Sequence, residues 1–130
     1  MSEKKRIFIA DDDRTVLESL KKLLEFSGFE VEATGNPKEI LTKIKSCKPD
    51  LILLDLLMPQ LGGLEICQML NSDSQTQGIP IIVISALAGQ ADIKKAYQLG
   101  VVNYVTKPYD FQFLLREITK ALSYKEGRPL

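Results

Sequence analysis

The residues of this chain whose side chains are best suited to bind a metal or to react are aspartates that directly follow short apolar runs. Asp11, Asp12 and Asp13 follow the first such run, and Asp55 stands alone after Leu51 to Leu54. Two like charges about 4 Å apart repel by roughly 4 kcal/mol at an effective dielectric constant near 20. Carboxylates gathered at the edge of a core are therefore costly unless a cation lies among them. Since the chain has no histidine, its carboxylate oxygens suit a hard divalent cation such as Mg²⁺ or Mn²⁺.

A hydroxyl and an ammonium group also follow apolar runs. Ser85 ends the run that begins at Ile79, and Lys107 follows Val101 to Val105. A carboxylate can attack phosphorus to form an acyl phosphate, and the transferred phosphoryl group needs its oxygens neutralised. A divalent cation, the Lys107 ammonium and the Ser85 hydroxyl could supply those contacts. Phosphoryl transfer to a lone carboxylate is thus the chemistry that these residue types favour.

Composition excludes several other classes of function. Without histidine the chain cannot build a serine-histidine-aspartate site or most zinc sites by itself. The 17 basic residues balance 17 acidic ones, so we expect neither nucleic acid nor a membrane among its partners. The N-terminal apolar run is too short for a signal peptide. Cys47 and Cys67 are too few for a disulfide framework, and we expect reduced thiols in a cytoplasmic protein.

Five strands alternate with five helices along the chain. Strands are predicted at 5–10, 29–34, 51–54, 79–84 and 101–105, and the second strand alternates as an edge strand would. Apolar residues recur at helical spacing in 16–24, 40–44, 64–70, 91–99 and 111–122, and Gly28 should end the first helix. Asn36 and Pro37 are typical of a helix start, and Pro59, Gly62 and Gly63 indicate a loop after the third strand. Such alternation predicts an α/β fold with an open parallel sheet covered on both faces.

The order of the strands decides whether the polar residues meet. In open parallel sheets, ligands bind beyond the carboxyl ends of the strands, where the strand order reverses. If the order is 2-1-3-4-5, the first and third strands are neighbours and Asp11, Asp12 and Asp55 converge on one crevice. We expect residues 1–124 to form this one domain and 125–130 to be a short tail, with no output domain attached.

Four motifs in order resemble the receiver (CheY-like) domain of two-component response regulators. They are the aspartate pair at 11 and 12, LILLDLLMP around Asp55, VISA with Ser85, and NYVTKPYD with Lys107. Ser85 and Lys107 lie 30 and 52 residues beyond Asp55, as in that family. The resemblance covers residues 5–122 and implies a flavodoxin-like, doubly wound (βα)5 sandwich with strand order 2-1-3-4-5.

The same resemblance implies a metal site. Asp12 would bind Mg²⁺ directly, Asp11 mostly through water, and Asp55 with the backbone carbonyl of Leu57 would complete the protein ligands.

It also implies a phosphorylation switch. Asp55 would be the phosphoacceptor, Ser85 and Lys107 would contact the phosphoryl group, and Tyr104 would turn inward as Ser85 shifts. The peptide bond between Lys107 and Pro108 is expected to be cis.

The function implied is that of a single-domain response regulator. A sensor histidine kinase or a histidine phosphotransfer protein would supply the phosphoryl group, because this chain has no histidine of its own. A downstream protein would bind the face made by the fourth helix, fifth strand and fifth helix. The chain would catalyse only its own phosphorylation and dephosphorylation. Leu57 and Leu87, which in the family flank the approach of water, are both apolar here, which predicts a long-lived acyl phosphate.

Other readings of the same residues stay open. Asp11, Asp13 and Thr15 match the D-x-D-x-T signature of haloacid-dehalogenase-type phosphatases, in which Asp11 would be the nucleophile. That reading leaves Asp55 without a role. A module that keeps only the fold for protein interaction is a further alternative. Asp13 by itself is more simply explained as the cap of the first helix.

Overall fold

Five short strands pair into one parallel sheet. The computed structural model describes residues 4–58 and 62–125, within which the strands are β1 (Arg6–Ala10), β2 (Glu30–Thr34), β3 (Leu51–Leu54), β4 (Ile81–Ser85) and β5 (Asn103–Thr106). The helices are α1 (Arg14–Phe26), α2 (Ile40–Cys47), α3 (Gly63–Ser72), α4 (Gln90–Gln98) and α5 (Phe111–Lys125). The strand order is β2-β1-β3-β4-β5, which confirms the predicted topology.

The two faces of the sheet carry separate hydrophobic cores because successive side chains of a strand point to opposite sides. Phe8 and Ile52 pack with α2, α3 and α4, whereas Ile9 and Leu53 pack with α1 and α5. Every residue of β3 and β4 is buried, as expected for central parallel strands. Burying such a side chain stabilises the fold by about 1.5–3 kcal/mol.

The helix boundaries follow local signals in the sequence. Asp13 caps α1, since its carboxylate accepts hydrogen bonds from the N–H groups of Thr15 and Val16. Gly28 follows the helix with φ of 103°, a conformation that glycine adopts without a steric penalty. The predicted second helix begins as a single 3-10 turn, Pro37–Glu39, capped by the Asn36 side chain, and becomes α-helical only at Ile40.

Two strands, β4 and β5, begin two residues later than the sequence predicts. β5 begins at Asn103 rather than Val101, because the N–H of Val101 still bonds the carbonyl of Ala96 and closes the end of α4. β4 begins at Ile81 and extends through Ser85, which pairs with Thr106. Ser85 therefore belongs to the strand itself.

Candidate functional site

Three aspartates converge at the carboxyl ends of β1 and β3. Ala10 and Leu54 are paired and are the last residues of their strands, and an aspartate follows each of them. The N–H of Asp55 bonds the carbonyl of Ala10 at 2.9 Å. Asp11, Asp12 and Asp55 each present a carboxylate oxygen, and these oxygens lie within 4.8 Å of one another. Asp11 and Asp55 are only 5% and 6% exposed, whereas Asp12 lies at the exposed rim.

Lys107 reaches this cluster from the end of β5. Its backbone N–H bonds the carbonyl of Ser85 at 2.8 Å, which fixes the start of its side chain. The Nζ atom lies 3.1 Å from Asp11 Oδ2 and 3.2 Å from Asp55 Oδ2. The Lys107–Pro108 peptide bond is cis, as the family resemblance implied.

The charges in this pocket favour an additional cation. Burial raises the pKa of Asp11 above its ordinary value, and the negative charge of Asp55 adds to this, against hydrogen bonds from the Asp13 N–H and Lys107. Burial alone would lower the pKa of Lys107, but the hydrogen bond and charge of Asp11 and the charge of Asp55 raise it. The Lys107 ammonium group thus contacts two of the three clustered carboxylates, those of Asp11 and Asp55. Their hard oxygen ligands fit Mg²⁺, with Asp12 accessible at the rim.

Ser85 and Tyr104 meet at the backbone of Leu87. Ser85 is fully buried, and its Oγ accepts a hydrogen bond from the N–H of Leu87 at 3.1 Å. Tyr104 donates its hydroxyl to the carbonyl of Leu87 at 2.7 Å, and burial raises the pKa of this tyrosine. Tyr104 and Ser85 are thus linked through the backbone of Leu87, two residues after Ser85. This role of Leu87 is not predictable from the sequence, because a backbone contact leaves no signature in the residue type.

The loop after Asp55 is held close to the site. The N–H of Leu57 bonds Asp55 Oδ1 at 2.9 Å, and the Leu57 side chain is 48% exposed. A Cβ atom added to Gly63 would lie 2.3 Å from the Cα of Leu56, so α3 can begin against this loop only with glycine. Leu87, by contrast, packs partly buried against the core beneath α2, α3 and α4. Pro59, predicted in the same loop, lies outside the described residues.

The carboxylate of Asp13 points away from the acidic cluster and caps α1, although the Asp13 N–H bonds Asp11. Its Oδ1 lies 3.1 Å from the N–H of Thr15 and 3.2 Å from that of Val16, and both Asp13 and Thr15 are exposed. This position is that of a helix cap, as predicted. It offers no support for the phosphatase alternative, in which the Asp13 side chain would act beside the nucleophile Asp11.

No helix within residues 4–58 and 62–125 combines the length and apolar character needed to cross a membrane.

Comparisons with known proteins agree with the geometry. Residues 7–119 match the family model described as the response regulator receiver domain. The chain is 32% identical over 126 residues to the DNA-binding response regulator MtrA of Mycolicibacterium smegmatis, covering 97% of this chain and 54% of that protein. It is 37% identical over 117 residues to the response regulator MprA of Mycolicibacterium vanbaalenii, covering 90% of this chain and 50% of that protein. The chain thus spans about half the length of these relatives.

A solved structure is similar over almost its whole length. It is a CheY-like response regulator receiver domain protein from Methanospirillum hungatei, which superposes with a TM-score of 0.90 at 31% identity. The match covers 96% of this chain and 98% of that one.

Proposed function

Because this chain belongs to the response regulator receiver domain family and is a phosphorelay receiver, we propose that Asp55 is its phosphoacceptor. The observation that carries this assignment is the position of Lys107 Nζ, 3.2 Å from Asp55 Oδ2 and 3.1 Å from Asp11 Oδ2. The ammonium group lies where the charge of a phosphoryl group on Asp55 would develop. Asp55 is also the aspartate of the cluster that follows the central strand β3.

With a phosphohistidine as the donor, phosphoryl transfer to Asp55 exchanges one bond to phosphorus for another. A carboxylate oxygen of Asp55 forms the new P–O bond, the P–N bond breaks, and the imidazole leaves with its electron pair and takes up a proton. Lys107 shifts from the carboxylate to the phosphoryl oxygens, and the Ser85 hydroxyl donates to one of them. Asp11, Asp12, Asp55 and the Leu57 carbonyl would hold Mg²⁺, which would supply further charge neutralisation when bound.

The switch follows from the contacts of Ser85. When its hydroxyl turns toward a phosphoryl oxygen, its Oγ releases the N–H of Leu87, whose carbonyl holds Tyr104. The change at Asp55 is thereby passed to β5 and α4. A downstream protein that binds the face made by α4, β5 and α5 would sense it. Whether Tyr104 changes its orientation on phosphorylation stays a prediction.

The partners and setting are proposed from the chemistry. A sensor histidine kinase or a histidine phosphotransfer protein supplies the phosphoryl group, since this chain has no histidine. This donor and the free thiols of Cys47 and Cys67 support a cytoplasmic location. We propose a signalling protein that acts on no substrate beyond its own acyl phosphate. The absence of nucleic acid binding stays a prediction, since one of the longer relatives named above is a DNA-binding response regulator.

The test is to incubate the protein with acetyl phosphate and Mg²⁺ and to record intact mass. We expect one phosphoryl adduct in the wild-type protein and in Asp13→Asn, a matched control in the helix cap, and none in Asp55→Asn. An adduct that persists in Asp55→Asn would contradict the assignment. Peptide mapping that places the adduct on Asp11 would support the phosphatase alternative.

A further inference from the structure

The side chain of Asn103 joins three elements at the outer edge of the sheet. β5 is an edge strand, and Asn103 is its first residue. Asn103 Oδ1 accepts hydrogen bonds from the backbone N–H of Tyr104 at 2.8 Å and from the Tyr97 hydroxyl at 3.2 Å. Its Nδ2 donates to Glu117 Oε1. One amide therefore links α4, β5 and α5.

These hydrogen bonds involve partly buried groups, so they can contribute to the free energy of folding. The amide of Asn103 is half-buried, and the Glu117 side chain is only 16% exposed. A hydrogen bond from an amide to a carboxylate is stronger than one between neutral groups. The outward N–H of an edge strand lacks a ladder partner, and here Asn103 supplies one to Tyr104. Lys120 contacts the other oxygen of Glu117 at 3.4 Å but is itself 56% exposed.

The same tyrosine connects this amide to the pocket. Tyr104 is held by Asn103 at its backbone and by the Leu87 carbonyl at its hydroxyl, and the N–H of Leu87 bonds Ser85 Oγ. Neighbouring residues of a strand face opposite sides, so Tyr104 packs on the α4 side while Asn103 reaches α5. The bonds thus run continuously from the buried hydroxyl of the pocket around the sheet edge to both helices.

We infer that Asn103 is a positioning residue for the switch: it holds Tyr104 in the orientation that reaches Leu87 and ties α4 and α5 to that orientation. The inference rests on the proposed function, in which a phosphoryl group on Asp55 recruits Ser85. Coupling between two sites is reciprocal. Weakening the contacts of Asn103 therefore weakens the binding of a phosphoryl mimic at Asp55, although Asn103 touches no group of the pocket.

The test exchanges the donor and the acceptor of one hydrogen bond. Asn103→Asp keeps an oxygen for Tyr104 and Tyr97 but sets a carboxylate against Glu117. Adding Glu117→Gln restores a bond of the opposite direction, because the new amide at 117 can donate to the new carboxylate at 103. Tyr97→Phe removes only the link to α4, through an exposed hydroxyl, and provides a variant that will fold. Lys120→Ala is the control on the same face.

The first readout is the affinity for beryllofluoride with Mg²⁺, followed by backbone amide NMR. We expect about tenfold weaker binding in Asn103→Asp, as loss of a charge-assisted hydrogen bond implies, and about threefold in Tyr97→Phe. The double variant should return to within about twofold of wild type, and Lys120→Ala should not differ from it. Equal affinities in all variants, or a double variant as weak as Asn103→Asp, would overturn the inference.

The second readout uses the protein without any ligand. Amide hydrogen exchange in the last turn of α4 should be faster in Asn103→Asp and Tyr97→Phe and should return to the wild-type rate in the double variant. Unchanged exchange in both single variants would also overturn the inference. If wild-type protein fails to bind beryllofluoride, the proposed function is wrong, and the exchange rates still decide the role of Asn103.

Discussion

Replacing Lys107 with methionine removes the ammonium group that lies between two buried carboxylates. With Lys107 absent, Asp11 and Asp55 face each other with oxygens no more than 4.8 Å apart. At an effective dielectric constant near 20, that repulsion is about 3–4 kcal/mol. The Lys107 side chain is 24% exposed, so solvent already screens part of its attraction. We therefore expect Lys107→Met to lower the free energy of unfolding by about 1–3 kcal/mol in the absence of divalent cations.

The loss should depend on pH in a defined direction. Burial raises the pKa of Asp11 in the wild-type protein, and removing Lys107 should raise it further. A carboxyl group whose pKa is higher in the folded state takes up a proton on folding, so stability is gained as the pH falls and lost as it rises through the folded pKa. The deficit of Lys107→Met should therefore shrink from neutral pH toward the ordinary aspartate value of 3.8.

Urea unfolding followed by far-UV circular dichroism measures both effects. Mg²⁺ should restore more stability to Lys107→Met than it adds to wild type, because it relieves a larger repulsion. Lys120→Met, at a lysine that is 56% exposed, is the control and should change stability by less than about 0.5 kcal/mol. A midpoint for Lys107→Met equal to that of the control would refute the electrostatic reasoning, as would a deficit that grows when the pH falls.

Three further predictions concern other parts of the molecule. Leu57→Asn should shorten the life of the phosphorylated form several-fold or more, because an exposed amide beside Asp55 can orient the attacking water; decay of the adduct mass measures this. Cys67 is fully buried with its pKa raised by burial to about 11, so at pH 8 it should react with a thiol reagent about tenfold or more slowly than Cys47. Thr76→Val should cost about 1–3 kcal/mol in urea unfolding, because the buried hydroxyl of Thr76 donates to a backbone carbonyl at 2.7 Å.

Each of these predictions has a control within the chain. Leu57→Ile keeps the apolar surface and should leave the lifetime unchanged, so equal lifetimes for Leu57→Ile and Leu57→Asn would count against the argument. Cys47→Ser isolates the buried thiol, and rapid labelling of that variant in its native state would contradict the burial argument. Thr119→Val removes an exposed hydroxyl that also donates to a backbone carbonyl, that of Leu115. It should cost less than about 0.5 kcal/mol, and a cost equal to that of Thr76→Val would show that burial is not the cause.

Sequence periodicity predicted the fold well because burial of a strand or helix face requires a repeat of apolar residues. The continuous apolar run at 51–54 became a central strand, and the alternation at 30–34 became an edge strand. Boundaries were less accurate where a backbone bond between elements set them. The N–H of Val101 is an example, since its partner in α4 is invisible in the local sequence.

By itself, the sequence determined which chemical groups are available and which strands they follow: carboxylates after β1 and β3, a hydroxyl at the end of β4, and a lysine after β5. Only the tertiary structure decided that the nitrogen of Lys107 lies within 3.2 Å of two of those carboxylates and that Leu87 and Asn103 contribute contacts. The physical reason is that residue type and spacing specify local conformation. The distances between groups far apart in the chain depend on how the whole sheet twists and packs.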